Sequence, residues 1–237
     1  PTWLRRQRQM CIRDRHDFLN PSFYSANGLV YKVDSSKITL GKMLFSDPIL
    51  SHESIRFSCT TCHLPQQFFT DGRKLSITNK FGLTLKRNTP TLIHAAYQNK
   101  FMYDGRAESL EMQMLHVFNN QQEFKSNFLN LIERLENDST YIELFEKSYG
   151  KKDYNSISIY SITDALATYI RTFNGANSKF DKFMRGESLD IPNEVADGFN
   201  LFMGKAKCGT CHFAPTFSGL LPPFYEAVSY THLTLPT

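Results

Sequence analysis

Residues 57–73 read FSCTTCHLPQQFFTDGR, and the reading of the whole chain turns on what Cys59, Cys62 and His63 hold. Two thiols three residues apart, followed at once by a histidine, can serve zinc, a redox-active disulfide or a covalently attached haem. The motif recurs: Cys59-Thr60-Thr61-Cys62-His63 is echoed by Cys208-Gly209-Thr210-Cys211-His212. Each copy follows a phenylalanine-bearing segment and precedes a proline, Pro65 or Pro215. Two similar modules are implied, with a junction in NGANSKF near Gly175.

Spacing separates the three chemistries. Two CxxC pairs could give zinc four thiolates, but structural zinc motifs place their pairs about 12 to 20 residues apart. Here about 145 residues intervene. A thioredoxin-like disulfide wants a strand-to-helix turn in a βαβ pattern, and no such pattern is visible. A histidine directly after each second cysteine is the attachment signature of a c-type haem. Thiols at i and i+3 on one helical turn reach the two vinyl groups of one porphyrin, and the next imidazole swings beneath the iron. Cys59, Cys62, Cys208 and Cys211 are therefore read as covalent haem attachments, with His63 and His212 as axial ligands.

Composition excludes several classes. A net charge of +4 on 237 residues, with both signs interspersed, is too mild to argue for nucleic acid or an anionic membrane. No run of about 18 apolar residues occurs, so no membrane span is expected. The start, PTWLRRQRQMCIRDR, is basic and polar and lacks the apolar stretch of a secretory signal. Residues 1–15 and 227–237 resemble translated adaptor read-through and are set apart as appended segments. Cys11, the odd cysteine, leaves with the first of them.

The interior is read as mostly α. Phe124, Phe128, Leu131, Ile132 and Leu135 fall on one helical stripe. Ser161 with Asp164 resembles a capping box ahead of Ala165, Leu166, Tyr169, Ile170 and Phe173. A third helix carries Val195, Phe199 and Phe202 towards the second CxxCH, and Met203 beside it reads as core. No alternating strand stands out.

Several blocks in order, LGKMLFSDPILS, CTTCH, FTDGR, LKRNTPTLIHAAY, FMYDGRAESLEMQM and LFMGKAKCGTCHFAPTFSG, make the chain resemble the bacterial di-haem cytochrome c peroxidases. The related di-haem maturation enzymes of methylamine dehydrogenase share most of these blocks. The resemblance implies two c-type cytochrome domains, 16–175 with the peroxidatic haem and 176–226 with the electron-transfer haem. The second is expected to be truncated, because relatives carry their second sixth ligand further downstream. It also implies two haems c, a calcium ion, hydrogen peroxide as substrate, and a small periplasmic donor such as a cytochrome c or cupredoxin. A homodimer is open to such a protein. A non-catalytic electron-transfer cytochrome and a di-haem enzyme oxidising a protein side chain are the alternatives.

By the same resemblance, Glu123 in NNQQEF is the catalytic acid/base and Gln113 in SLEMQML orients peroxide. Tyr103 stands where relatives often carry a tryptophan electron relay. Arg106 of DGR is matched to a haem propionate contact or to an ion pair within its turn, and Asn88 of RNTP to a calcium ligand. The loop after the first motif has no histidine and offers Asn79 and Lys80 instead, which implies an open iron site. His94 and His116 are expected as packed or hydrogen-bonded helix residues.

Overall fold

A computed structural model describes residues 34–78, 83–98, 100–151, 156–173, 175, 177–188, 190–212 and 217. Residues 1–15 and 227–237, Asn79 and Lys80 lie outside them. The described residues of Lys32–Ala95 and Lys100–Phe173 form one compact unit, and those of Ala96–Asn99 and Asn174–Thr237 a second. The fold is mostly α: among the described residues there are seven α-helices and no sheet, only isolated bridges such as Leu64 to Thr70.

The first unit is built on α1 (Ser35–Ser46), α2 (Leu110–Asn119), α3 (Phe128–Glu136), α4 (Ser139–Tyr149) and α5 (Ile159–Ile170). Asp34 opens α1 by accepting from the Ser36 and Lys37 amides at 2.8 and 3.3 Å, satisfying donors the helix cannot. The helix ends at Asp47 because Pro48 follows, and proline disfavours a helical residue before it. Leu40, Leu44 and Phe45 are buried along one face of α1 and pack with Ile162, Ala165 and Leu166 of α5 in a single core.

Gly41 sets how closely α1 and α5 approach. A Cβ there would fall on the Ala165 carbonyl and lie 2.8 Å from Tyr169 Cβ. Backbone cannot yield as a side-chain tip can, so Gly41→Ala is expected to force the helices apart. The cost should be about 1–3 kcal/mol, read as a lower midpoint of denaturant unfolding; an unchanged midpoint would mean that the two helices have room to spare.

Two helix starts differ from the expectation, each for a local reason. Asn127 caps α3 by accepting from the Leu129 amide at 2.8 Å, so the helix begins at Phe128. Phe124 lies before it in a turn, still buried, with its ring 5.8 Å from Phe118. The cap of α5 is Ser158, not Ser161: the Ser161 amide donates to Ser158 Oγ at 3.2 Å and the Ser158 amide to Ser161 Oγ at 2.9 Å. Asp164 serves tertiary packing, accepting from Lys37 Nζ at 2.7 Å and Tyr149 OH at 2.8 Å.

The histidine expectations are corrected as well. His94 is not helical but sits in a turn at φ 63°, its amide donating to the Phe173 carbonyl at 3.0 Å. His116 lies on α2 as expected but is exposed, because the helix buries Leu110, Met114 and Phe118 on another face.

In the second unit Ser178 and Asp181 cap α6 (Lys179–Arg185) reciprocally. Helix α7 (Asn193–Met203) carries Phe199 into the interior and ends at Gly204, four residues before Cys208. Met203 is half-buried, and a Cβ on Gly209 would fall on its sulfur. The glycine of CGTCH therefore lets the motif pack against the helix that leads into it.

Candidate functional site

The two CxxCH motifs fold alike. Cys59–Thr61 and Cys208–Thr210 are each one 3-10 turn. In the first, the Cys62 and His63 amides donate to the Cys59 carbonyl at 3.3 and 2.8 Å; in the second, the Cys211 and His212 amides donate to the Cys208 carbonyl at 3.2 and 2.8 Å. Ser58 caps the first turn through its amide on Thr61 Oγ1 at 3.1 Å. Lys207 stands in that place in the second, at φ 57°.

Each histidine ring is oriented by a main-chain carbonyl. His63 Nδ1 lies 2.8 Å from the Phe69 carbonyl, and His212 Nδ1 lies 3.0 Å from that of Phe217. A carbonyl only accepts, so Nδ1 carries the proton and Nε2 keeps a lone pair for a metal. Burial pushes the His63 pKa down and favours the neutral ring. Burial also raises both thiols, Cys59 to about 12 and Cys62 to about 11, the latter with help from the negative charges of Asp71 and Glu123. A redox-active CxxC needs the opposite, a depressed thiol. No group of three or more His, Cys, Asp or Glu among the described residues is arranged to hold a metal ion by itself. Two free thiols placed for the vinyl groups of a porphyrin, and a neutral imidazole with a lone pair on Nε2 for its iron, fit the attachment of a c-type haem.

Glu123, in a different part of the chain, acts on this turn through its charge. It sits in the turn after α2, half-buried, its amide donating to the Asn120 carbonyl at 3.1 Å. Neighbouring bonds hold that turn: the His52 amide to the Phe124 carbonyl at 2.9 Å and the Ser126 amide to the Phe118 carbonyl at 2.7 Å. Burial raises the Glu123 carboxyl above its ordinary range, against the Asn120 side chain and the positive charge of Arg106. Glu123 is thus the charge that both feels Arg106 and acts on the Cys62 thiol, which also feels Arg73.

Gln113 is half-buried on α2, the helix whose Glu111 pairs with Arg171 at 2.8 Å. Arg106 holds Asp104 through one nitrogen, 2.8 and 2.7 Å from the two carboxylate oxygens. Tyr103 is 84% exposed, with the Arg87 guanidinium 4.2 Å from its ring centre. Asn88 is exposed between Arg87 and the buried Thr89. Cys208, Cys211 and His212 belong to the second unit and are exposed among its described residues.

A family model for the di-haem cytochrome c peroxidases matches residues 35–189. The chain belongs to that family. The methylamine utilization protein MauG of Methylorubrum extorquens is 36% identical over 177 residues, which are 74% of this chain and 49% of that protein. Cytochrome-c peroxidase IdrP2 of Denitromonas iodatirespirans is 30% identical over 184 residues, 77% of this chain and 48% of that one. The crystal structure of a MauG-like protein associated with microbial copper homeostasis superposes with a TM-score of 0.73 at 26% identity, covering 89% of this chain and 59% of that chain. The chain spans about half the length of the curated relatives it matches. Membership in a di-haem cytochrome c peroxidase family implies two haems c.

Phe69, Asp71 and Thr89 also shape the site, though nothing in the sequence alone singled them out. Asp71 is the largest charge influence on both Cys62 and His63, and the Thr89 side chain is a hydrogen-bond partner of the Cys62 thiol. FTDG and RNTP are blocks of the di-haem peroxidases, but the role of Phe69 lies in its carbonyl, which no side-chain pattern reveals.

Proposed function

We propose that this chain is part of a periplasmic peroxidase that reduces hydrogen peroxide to two waters. The reaction consumes two protons and two electrons, the electrons coming singly from a small donor such as a cytochrome c or a cupredoxin. The observation that carries the reading is Glu123, a carboxylate perturbed by burial, with its field on the haem-attaching Cys62. When bound, the first haem supplies the iron at which peroxide is reduced and the second a store for one oxidising equivalent. Glu123 moves the proton: it takes it from one peroxide oxygen and delivers it to the other, which departs as water. Burial serves this role, since an acid/base works best with a pKa close to the operating pH.

Gln113 orients peroxide by a hydrogen bond. Gln113→Ala is expected to slow peroxide turnover about fivefold to tenfold, the worth of roughly one hydrogen bond. Rapid-mixing kinetics on haem-loaded chain read this, and an unchanged rate would make Gln113 a plain helix-surface residue. Tyr103 relays electrons, Arg106 exchanges its Asp104 partner for a haem propionate, and Asn88 contributes an oxygen to calcium. Covalent haem attachment takes place on the export side of the membrane, which puts the protein in the periplasm; no helix of the described residues is long and apolar enough to cross a membrane.

The 36% identity to MauG favours a second reading, oxidation of a protein side chain. Peroxide turnover with a reduced small donor separates the two. A haem-loaded chain that consumes no peroxide with any such donor sinks the peroxidase reading.

A further inference from the structure

Both axial histidines lean on the carbonyl of a phenylalanine in a left-handed conformation. Phe69 has φ 58° and Phe217 φ 54°, and Phe68 before the first has φ 54°. A bulky residue there is uncommon, costs about 1–3 kcal/mol, and persists only where the surroundings hold it. That the same strained geometry recurs at both attachment turns ties it to the histidine.

At the first turn the restraint is visible. The Phe69 ring stacks on Phe173 with centroids 4.0 Å apart and planes 16° from parallel. Phe45 meets both rings edge-on, at 6.3 and 5.8 Å, and Tyr169 closes on Phe173 at 4.8 Å. The Phe69 amide donates to the Leu64 carbonyl at 2.8 Å, and Thr91 Oγ1 donates to the Phe68 carbonyl at 2.6 Å. Returning Phe69 to an ordinary φ would swing its ring off Phe173 and its carbonyl away from His63. At the second turn, among the described residues, Phe217 meets Phe180, Phe199 and Phe202 edge-on or tilted, at 6.1, 6.5 and 5.8 Å.

We propose that Phe173, through its stack on Phe69, is the positioning residue for the axial histidine of the first haem. It fixes the carbonyl that accepts from His63 Nδ1 and so sets how strongly the imidazole donates to iron. A bond from Nδ1–H to a carbonyl raises the basicity of the opposite nitrogen, favouring ferric over ferrous iron. The inference rests on haem attachment at Cys59 and Cys62, not on peroxidase activity.

The test compares haem-loaded parent with Phe173→Leu, which keeps apolar bulk and removes the stack. In the variant the iron–histidine stretching band of the ferrous first haem should fall in frequency. Its ferric–ferrous equilibrium should shift about tenfold towards ferrous, about 59 mV for a one-electron couple. The second haem should not move, and Phe173→Tyr, which keeps the ring, should restore parent values. A loaded Phe173→Leu protein with the parent's band and equilibrium overturns the proposal. Should that variant fail to take up haem, Phe69→Leu removes the other ring of the same stack, and an unmoved band there overturns the proposal equally. A parent chain that takes no haem at Cys59 and Cys62 sinks the haem reading, and this proposal with it.

Discussion

Glu123→Gln should slow peroxide cleavage by the haem-loaded chain by about 10²–10⁴-fold, the usual contribution of a general acid/base. Glutamine keeps the shape and a hydrogen-bonding group but cannot take up the proton, so the visible spectrum of the haem should hardly change. A rate within a factor of two of the parent would remove Glu123 from the mechanism. The same substitution should move stability the other way. Burial raises the Glu123 carboxyl above its ordinary value of 4.5. Below that value the glutamate is protonated folded and unfolded alike and costs nothing. As pH rises through it the unfolded chain loses its proton first, so folding must retain a proton or bury a charge, and stability falls until the folded-state value is passed. Glutamine carries no such cost. Glu123→Gln should therefore melt with the parent below about pH 4.5 and above it at neutral pH, as catalytic groups held in unfavourable surroundings do. A mere surface glutamate would show no such pH-dependent gain.

Haem loading carries the second large effect. Chain produced alongside cytochrome c maturation machinery should gain the mass of two covalent haems, and Cys59→Ser with Cys62→Ser should lose one of them entirely. A single haem on the parent should sit on Cys59 and Cys62, whose turn packs against the core of the first unit, while Cys208 and Cys211 are exposed. Chain that takes up zinc and no haem would contradict both the attachment and everything built on it. The expected distinction between the two sites follows from burial: the first thiol pair is half-buried, with Cys59 against the core of its unit, and the second pair is exposed.

The fold class and the attachment turns were legible in the sequence because both depend on short-range backbone geometry. An i, i+3 thiol pair lies on one turn wherever that turn is placed, so CTTCH and CGTCH fold alike in two separate units. Likewise the apolar spacing of Leu40, Leu44 and Phe45, or of Leu131 and Leu135, declares a helix face before any partner for it is known.

Where two caps compete, that locality fails. Ser158 and Ser161 are both good N-caps, and the choice went to Ser158 because Asp164 is engaged by Lys37 and Tyr149 from α1 and α4. Phe124 matches the helical period yet lies in a turn, since Asn127 begins the helix after it while the core still buries its ring.

By itself, then, the sequence determined what spacing encodes, two CxxCH turns and a helical frame, while Glu123 entered only through the family resemblance. Only the tertiary structure decided which carbonyl orients His63 and what holds that carbonyl in place. Phe69 and Phe173 meet because α5 packs on α1 through the gap left by Gly41, bringing its C-terminal end over the loop that follows the first CxxCH. Contacts between segments so distant in the chain leave no periodic trace, because they are set by how helices pack and not by how the backbone repeats.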